Sequence, residues 1–470
     1  MNINYKFVLS VILIVISILC VIRIVFDKRD PKGTLAWILI FILSQPIGII
    51  LYLLIGQNWR NRKMKNKSHF FKEKVFKKYS SRKPNNSDYN FIQNLVIKND
   101  FNPILSNNSV NIFNNGKDKF DALKKELLKS KHHIHIEYYI VRNDKIGNEI
   151  KNILIKKSNE GIKVRFIIDK IGSLGLGKKY INDLKTAGVD VSFYSYVFAP
   201  FYRNHKKIVI IDGKVGFLGG MNIGDEYEGK GKLGYWRDLH IMITGDFVLS
   251  LQNVFLYDYY MINKKSNKSI SVKDEFMLYF PEIKNDNHLP MQLVESGPSS
   301  ENPSIMQAMV KMISSAKDHI YIMTPYFIPS ESLLTSLKIA ALSGIDVRIL
   351  FPEKYDHFYV YYASRTYLLE LAKCGAKIYL YRNDSFLHSK AITVDGEICT
   401  LGNTNIDIRS FELNYEANAI IYDSNTTKNL EELFYKDLSE SKLVSGEYFE
   451  NSSNFVKLLE NTTRIFSNSM

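Results

Sequence analysis

One pattern of residues occurs twice in this chain of 470 residues, and it constrains the fold more than any other feature. It reads His-x-Lys-x4-Asp-Gly-x5-Gly-x2-Asn, and its two copies begin at His205 and His388, 183 residues apart. The shorter segments 161–165 and 344–348, Gly-Ile-Lys-Val-Arg and Gly-Ile-Asp-Val-Arg, repeat at the same spacing. A chance recurrence of so many fixed positions is very improbable, so the chain contains an internal duplication.

Each copy of the pattern predicts a strand with two polar residues at its start. In the first copy, the β-branched run 208–211 ends at Asp212-Gly213, which is typical of a strand that enters a hairpin turn. His205 and Lys207 are two residues apart and share a face of that strand, whereas Asp212 is an odd number of residues from both. For a single copy, an edge strand with a polar start is an equally good interpretation. The second copy places His388, Lys390 and Asp395 in the same way.

From about residue 86 onward, helix-like and strand-like segments alternate, and they do so in the same order in both halves of the repeat. This alternation indicates an α/β fold. We predict a first domain at 86–285 and a second at 286–470, joined by the polar segment 264–288, and an amphipathic helix at 454–466. The predicted helices are 118–130, 147–160, 303–316, 330–343 and 361–374, the strands are 134–140, 163–169, 320–327, 346–351 and 377–382, and a helix-strand pair lies within 181–196.

Two apolar stretches near the N-terminus predict two transmembrane helices within residues 1–56. They are residues 7–26 and 34–56, each long enough to cross a bilayer. Ser44-Gln45-Pro46 interrupts the second stretch, which predicts a kink there. A cleaved signal peptide would need a shorter apolar core and a small-residue cleavage site, and a buried pair of helices in a soluble protein is the other alternative.

A basic linker at residues 57–85 follows the apolar stretches. Between Gln57 and Lys83 it carries eleven lysines and arginines and one acid, a net +10 of the whole chain's +14. Such a cluster orients the preceding helices by the positive-inside rule and attracts anionic lipid headgroups. A basic arm for nucleic acid is the alternative, and it is disfavoured because the cluster directly follows a membrane segment. The three cysteines are scattered, which predicts no disulfide framework and a reducing compartment.

The repeated residues suit phosphate chemistry if the halves pack about a pseudo-twofold axis that brings both motifs to one seam. The two lysines, with Asn222 and Asn405, supply donors for phosphate oxygens. One histidine can attack phosphorus, while the other protonates the leaving oxygen. Because no carboxylate cluster accompanies them, no Mg²⁺ or Mn²⁺ cofactor is expected, and the nearby ammonium groups disfavour zinc. Asp238 and Glu416 follow the motifs at corresponding places, where each orients a histidine or is a plain strand-edge carboxylate.

These residues resemble the phospholipase D superfamily and, within it, the bacterial cardiolipin synthases. The resemblance covers nearly the whole chain. One departure is Asn403, since the second motif of the family often continues as Gly-Ser or Gly-Thr and here reads Gly402-Asn403. The blocks that carry the likeness are RDPKGTLAWILIFILSQPIGIILYLLIG, RNHKKIVIIDGKVGFLGGMNIGDEY, YWRDLHI and LHSKAITVDGEICTLGNTNIDIRSFELNYE.

The resemblance implies a fold of two phospholipase D-like α/β/α sandwich halves. It also implies that the protein transfers a phosphatidyl group between two phosphatidylglycerol molecules, giving cardiolipin and glycerol. It implies a phosphohistidine at His205 and acid–base catalysis by His388, although the near-equivalent halves leave that order open. Lys207, Lys390, Asn222 and Asn405 would bind phosphate, Asp238 and Glu416 would orient the histidines, and Asp212 and Asp395 would be structural.

The expected partners are phosphatidylglycerol and anionic membrane lipids, without nucleic acid or a cofactor. The expected location is the bacterial inner membrane, with two spans and the catalytic part on the cytoplasmic side. Two alternatives stay open, namely a hydrolase of the same superfamily, in which water resolves the intermediate, and a membrane-tethered scaffold with a relic site. A transporter is disfavoured because only two spans are evident and neither has a central charge.

Overall fold

The computed structural model describes residues 5–26, 31–52, 76, 89–195, 201–264, 276–283 and 287–467. The chain divides into two compact units, residues 1–61 with 196–202, and residues 62–195 with 203–470. Apart from Phe76, the predicted basic linker at 57–85 lies outside the described residues, as does much of the predicted connection at 264–288.

The N-terminal unit contains helices α1 (Tyr5–Phe26), α2 (Pro31–Leu43) and α3 (Gln45–Leu51). Only α1, with 22 residues, is long and apolar enough to cross a membrane among the described residues, so the second predicted transmembrane helix is not confirmed. The predicted interruption is present, because Ser44 separates α2 from α3. Pro46 lies in the first turn of α3, where its missing N–H costs nothing.

The larger unit consists of helices and strands that alternate over most of its length. Its helices are α4 (Asn90–Asp100), α5 (Gly116–Lys129), α6 (Lys145–Asn159), α7 (Lys178–Thr186), α8 (Phe247–Ile262), α9 (Ser304–Ser314), α10 (Glu331–Leu342), α11 (Phe358–Lys373), α12 (Ile408–Glu412), α13 (Ser424–Ser439), α14 (Gly446–Glu450) and α15 (Asn454–Ile465). Its strands are β1 (Asn108–Phe113), β2 (His133–Tyr138), β3 (Lys163–Asp169), β4 (Asp190–Tyr194), β5 (Arg203–Asn204), β6 (Lys207–Ile211), β7 (Val215–Gly219), β8 (Tyr235–Arg237), β9 (His240–Gly245), β10 (Met291–Ser296), β11 (His319–Met323), β12 (Phe327–Ile328), β13 (Asp346–Pro352), β14 (Lys377–Tyr381), β15 (Ser385–Leu387), β16 (Ala391–Val394), β17 (Ile398–Gly402), β18 (Ile406–Asp407), β19 (Asn414–Ile421) and β20 (Ser441–Val444).

Two large mixed sheets repeat the same strand order. The first runs β1-β9-β7-β6-β2-β3-β4, and the second runs β10-β19-β17-β16-β11-β13-β14 with β20 added at its edge. Strands β2, β3 and β4 are parallel, as are β11, β13 and β14, whereas the motif strands β6 and β16 are antiparallel to their neighbours. The duplication read from the sequence is therefore a duplication of topology, and the predicted α/β class is confirmed.

Helices α8 and α13 lie in the core that joins the two halves. One buried cluster contains Phe255 from α8 and Phe434 from α13 together with Ile208 and Leu350 from the two sheets. The outer helices α5–α7 and α9–α11 pack in two further clusters, one for each sheet. Burying one large apolar side chain contributes about 2 kcal/mol to the stability of the fold. Because many such side chains from both halves share this core, it holds the halves in a fixed arrangement.

One local expectation differs from the structure. Residues 320–327 were expected to form one strand, but β11 ends at Met323 and Phe327–Ile328 pair separately with β18, because Pro325 between them has no N–H to donate. Ile92 and Val96 of helix α4 pack in the cluster of the second sheet. The amphipathic helix predicted at 454–466 is present as α15.

Candidate active site

The motif aspartates shape the turns at the ends of strands β6 and β16. Asp212 and Asp395 both have φ 55°, and a glycine with positive φ follows each of them. The Asp212 carboxylate accepts hydrogen bonds of 2.8–2.9 Å from the backbone N–H groups of residues 131–133, and Asp395 does the same for residues 317–319. Each aspartate lies at the opposite end of its strand from the histidine. This placement agrees with a structural role for both.

The segments that lead into the histidines cross to the other half of the molecule. Strand β5 pairs in parallel with the start of β19, and β15 pairs in parallel with β8. The backbone N–H of His205 donates to the carbonyl of Tyr415 at 3.0 Å, and that of His388 donates to the carbonyl of Arg237 at 2.7 Å. The two exchanges are reciprocal, as expected of two similar halves arranged about a twofold axis.

This exchange pairs each histidine with a carboxylate of the opposite half. His205 Nδ1 lies 3.0 Å from the Glu416 carboxylate, and His388 Nδ1 lies 2.6 Å from Asp238. All four side chains are buried. A carboxylate only accepts hydrogen bonds, so we assign a proton to each Nδ1, which leaves the lone pair of each Nε2 for chemistry.

The motif lysines lie beside the histidines. Lys207 Nζ donates to the carbonyl of His205 at 2.6 Å, and Lys390 Nζ donates to the carbonyl of His388. Lys390 Nζ is also 4.0 Å from the Asp238 carboxylate. Both ammonium groups are almost completely buried, so they form a cationic patch that is screened from water.

Burial makes the charged forms of these side chains costly. It lowers the pKa of His388 to about 4, with Lys390 contributing and Asp238 opposing, and it lowers the pKa of His205 well below its usual range, with help from Lys207 and Lys390. It also lowers the pKa of Lys207 to about 7 and that of Lys390 to about 8. Both imidazoles are therefore neutral at pH 7. An anion bound beside the two lysines would raise the lysine pKa values and so favour the protonated lysines.

Comparison with known proteins agrees with this geometry. The family described as "Cardiolipin synthase, PLD-like domain" matches residues 123–229 and 309–438 of this chain. The description "Phospholipase D-nuclease N-terminal" matches residues 15–57. The chain belongs to the cardiolipin synthase family of phospholipase D-like proteins.

Relatives of this family are similar over nearly their whole length. The chain is 40% identical to the cardiolipin synthase of Oceanobacillus iheyensis, over 96% of this chain and 97% of that protein. It is 38% identical to the major cardiolipin synthase of Bacillus subtilis, over 98% of both. The crystal structure of the phosphatidylserine synthase of Haemophilus influenzae shares the fold, with a TM-score of 0.62 and 15% identity over 81% of this chain and 98% of that one.

The two asparagines expected to bind phosphate differ in their contacts in this family member. Asn222 accepts a 3.2 Å hydrogen bond from the backbone N–H of Ile140 and donates to the hydroxyl of Tyr227 at 3.2 Å. Asn405 is buried directly before β18, and its Oδ1 has no hydrogen-bond partner among the described residues. The side chain of Asn222 is thus hydrogen-bonded within the protein, whereas the amide oxygen of Asn405 has no hydrogen-bond donor in the part of the chain that the structure describes.

Asn403, the departure from the family pattern, contacts one of the histidine pairs. Its Nδ2 donates to the carbonyl of His205 at 2.7 Å and to the Glu416 carboxylate, while its Oδ1 accepts from the N–H of Ala417 at 2.9 Å. The corresponding residue of the first half is Gly220, where an added Cβ would lie 2.2 Å from the nearer carboxylate oxygen of Asp238. The two halves therefore support their carboxylates differently.

Two buried ion pairs behind the motifs were missed by the sequence interpretation. Lys206, the residue between His205 and Lys207, pairs with Asp258 of α8. Arg237, next to Asp238, pairs with Asp437 of α13 through Nη2 at 2.7 Å and Nε at 3.1 Å. Asp258 and Asp437 occupy similar places in their helices, but their cations come from different segments. The sequence does contain a signal for these pairs, because Lys206 and Arg237 are charged residues within the two motif blocks.

Proposed function

We propose that this protein is a cardiolipin synthase that transfers a phosphatidyl group from one phosphatidylglycerol to a hydroxyl of a second, releasing glycerol. The names of its relatives, which match over nearly the full length, support this reaction. The observation that carries the proposal is the reciprocal pairing of His205 with Glu416 and His388 with Asp238 beside two buried lysines. Such a site provides a nucleophile, an acid and an anion-binding patch for a phosphodiester.

In the first step, Nε2 of one histidine attacks phosphorus, so a P–N bond forms as the P–O bond to glycerol breaks. The second histidine, as imidazolium, donates its Nε2 proton to the leaving oxygen. By resemblance to the family, His205 is the nucleophile and His388 is the acid. The carboxylates of Glu416 and Asp238 stabilise the positive charge that develops on each imidazole.

In the second step, the acceptor hydroxyl of another phosphatidylglycerol loses its proton to His388. Its oxygen forms a P–O bond as the P–N bond breaks, which regenerates both histidines and gives cardiolipin. Lys207 and Lys390 neutralise the phosphoryl oxygens throughout, and Asn222 and Asn405 are the proposed amide contacts. The pKa of His388, lowered by burial and by Lys390, rises when the phosphodiester anion binds, so the substrate itself helps to load the acid with its proton.

The membrane arrangement belongs to the same proposal. Helix α1 anchors the chain, and α2 with α3 forms a second, interrupted span. The net +10 of residues 57–83 then lies on the cytoplasmic side of the inner membrane, where it attracts anionic lipids, and the catalytic unit follows on that side. A cysteine introduced at Leu342, which is 71% exposed on α10, should resist a membrane-impermeant thiol reagent in intact cells. Labelling there without lysis would contradict this topology.

Product analysis tests the reaction. The purified full-length chain, incubated with phosphatidylglycerol in mixed micelles, should form cardiolipin and glycerol in equal amounts. Added chelator should leave the rate unchanged. Phosphatidic acid as the main product would indicate hydrolysis and contradict the proposed transfer, and the absence of any reaction would support a non-catalytic scaffold.

A further inference from the structure

A cavity of about 630 Å³ in the catalytic unit is lined by Trp236, whose ring neighbours that of His388. Segments of both halves form it, namely residues 142–144 and 225–236 of the first half and the loop after β13 in the second. We call it the Trp236 cavity. The lining residues used below are Arg142, Glu226, Lys232, Trp236, Tyr355 and Asp356.

Trp236 and Asp356 connect this cavity to the reacting groups. The Trp236 ring centroid is 5.0 Å from that of His388, so the indole separates the imidazole from the cavity by a single ring. The carboxylate of Asp356 is near enough to act on the pKa values of His388 and Lys390, both of which it raises against the larger effect of burial. A group that exchanges a proton with His388 is therefore one aromatic ring away from this cavity.

Most carboxylates of the wall already have partners. Glu226 pairs with Arg142 at 2.8 Å, and Asp225 lies 3.9 Å from the ammonium of Lys230. Asp144 caps helix α6 by accepting from the N–H of Gly147 at 2.9 Å. Their hydrogen-bonding capacity is largely used within the protein.

Asp356 differs from these acids. It accepts hydrogen bonds from the Tyr326 hydroxyl and from the N–H of His357 at 2.7 Å, and Nε2 of His357 lies 3.8 Å from its carboxylate, but among the described residues no lysine or arginine forms an ion pair with it. Its side chain is 16% exposed. A carboxylate has room for about four hydrogen bonds, so Asp356 retains acceptor capacity toward the cavity.

We propose that the Trp236 cavity holds a glycerol headgroup, a neutral polyol, with Asp356 accepting a hydrogen bond from a hydroxyl that does not react. The wall offers both acceptors, at Asp356, and N–H donors, at Lys232 and Arg142, which matches hydroxyls that donate and accept. The Trp236 ring provides an apolar surface for the carbon chain of the polyol. This inference rests on the proposed function, since it assigns the place of the leaving or accepting glycerol in that reaction.

Headgroup exchange tests this assignment. Phosphatidylglycerol reacts with labelled glycerol: the P–O bond to the original glycerol breaks as the P–N bond forms, and a labelled hydroxyl then gives its proton to His388 as the new P–O bond forms. Propan-1-ol can replace glycerol as acceptor but lacks the neighbouring hydroxyls. We expect Asp356→Ala to lower kcat/KM for glycerol roughly tenfold more than kcat/KM for propan-1-ol, since the lost hydrogen bond is made by glycerol alone, whereas any effect through His388 is common to both acceptors.

Three variants separate recognition from folding. Asp356→Asn keeps an acceptor oxygen and should recover much of the preference for glycerol. Tyr326→Phe removes the internal partner of Asp356 and should leave the preference in place. Asp121→Ala, on α5 and outside the cavity, is the matched control and should change neither rate. Equal losses for glycerol and propan-1-ol in Asp356→Ala, or a wild-type preference for ethanolamine over glycerol, would overturn the assignment.

Binding can be followed even if no transfer occurs. The chain has three tryptophans, so Trp37→Phe with Trp59→Phe leaves Trp236 as the sole tryptophan, whose emission is excited selectively at wavelengths that tyrosine does not absorb. Glycerol 1-phosphate should change its fluorescence at lower concentration than propyl phosphate, and Asp356→Ala should remove that difference. Discriminating binding without transfer would sink the proposed function and keep the cavity assignment, whereas transfer with equal binding of both probes would sink only the cavity assignment.

Discussion

The Nδ1 atom of His388 lies 2.6 Å from the carboxylate of Asp238, although the two residues are 150 positions apart and belong to opposite halves of the repeat. His205 and Glu416 form the same relationship in the other direction at 3.0 Å. Each half therefore supplies the motif histidine of one pair and the carboxylate of the other. A half on its own lacks the carboxylate that lies beside Nδ1 of its histidine.

Replacing Asp238 by Asn should reduce turnover with little loss of structure. The amide has nearly the shape of the carboxylate, but it cannot stabilise an imidazolium and can turn its N–H₂ group toward Nδ1. We expect kcat to fall by about 10² to 10⁴. The measurement is the rate of cardiolipin formation, with thermal unfolding as the control for folding. A rate within about threefold of wild type would show that Asp238 does not orient the base.

The sequence predicted the repeat and the alternation of helices and strands, because these depend on local spacing and periodicity, while the roles of the site residues stay predictions. It could not predict which carboxylate meets which histidine, since that depends on how β5 and β15 cross between the halves. Helix α8 was missed because it is buried on nearly all sides and so lacks a clear polar face. Helix α4 could not be assigned a neighbour from the sequence, since Ile92 and Val96 indicate an apolar face but not its partner.

Asn403 should be necessary for the His205–Glu416 pair. Asn403→Ala removes the donor to the His205 carbonyl and to Glu416 and the acceptor for Ala417, so we expect about 1–3 kcal/mol of lost stability together with a lower kcat. Asn403→Thr, the residue often found there in the family, should lose less because its hydroxyl still donates.

Gly220, the corresponding position in the first half, allows a matched comparison with Asn403. Gly220→Ala should disturb the His388–Asp238 pair, because the added Cβ would collide with the Asp238 carboxylate. Both effects can be measured as unfolding temperature and kcat of the detergent-solubilised chain. Wild-type kcat in Asn403→Ala would contradict the assigned role of this residue.

Anion affinity should fall as pH rises. Burial places the pKa of Lys207 at about 7 and that of Lys390 at about 8, so both lose their proton between pH 7 and 9, and an anion must then bind together with protons. Sulfate keeps a constant charge over this range, so its pH dependence reports on the protein. We expect its Kd to increase at least roughly tenfold from pH 7 to 9.

The lysine variants identify the source of this pH dependence. Lys390→Met should weaken sulfate binding at pH 7 and flatten its pH dependence above 8. Lys214 lies in the turn after β6, at the end of the strand far from His205. Lys214→Met should change neither the sulfate affinity at pH 7 nor its pH dependence. A Kd that is independent of pH in the wild-type chain would show that the lysines are not the anion site.

The Arg237–Asp437 pair should stabilise the joint between the halves only as a pair. Arg237→Met leaves Asp437 buried without its cation, which should cost about 3–5 kcal/mol, and adding Asp437→Leu should recover much of that loss. Thermal unfolding measures both. The exposed pair of Lys373 and Glu450 serves as the control, and Lys373→Met should cause no measurable change. A double variant as unstable as the single one would mean that the arginine acts through other contacts.

Cardiolipin formation by two single variants tests the shared site most directly. His205→Ala and His388→Ala should each fold and each lower the rate from phosphatidylglycerol by at least about 10³, because neither histidine can complete the transfer without the other. Near-wild-type activity in either variant would contradict a single site built from both halves.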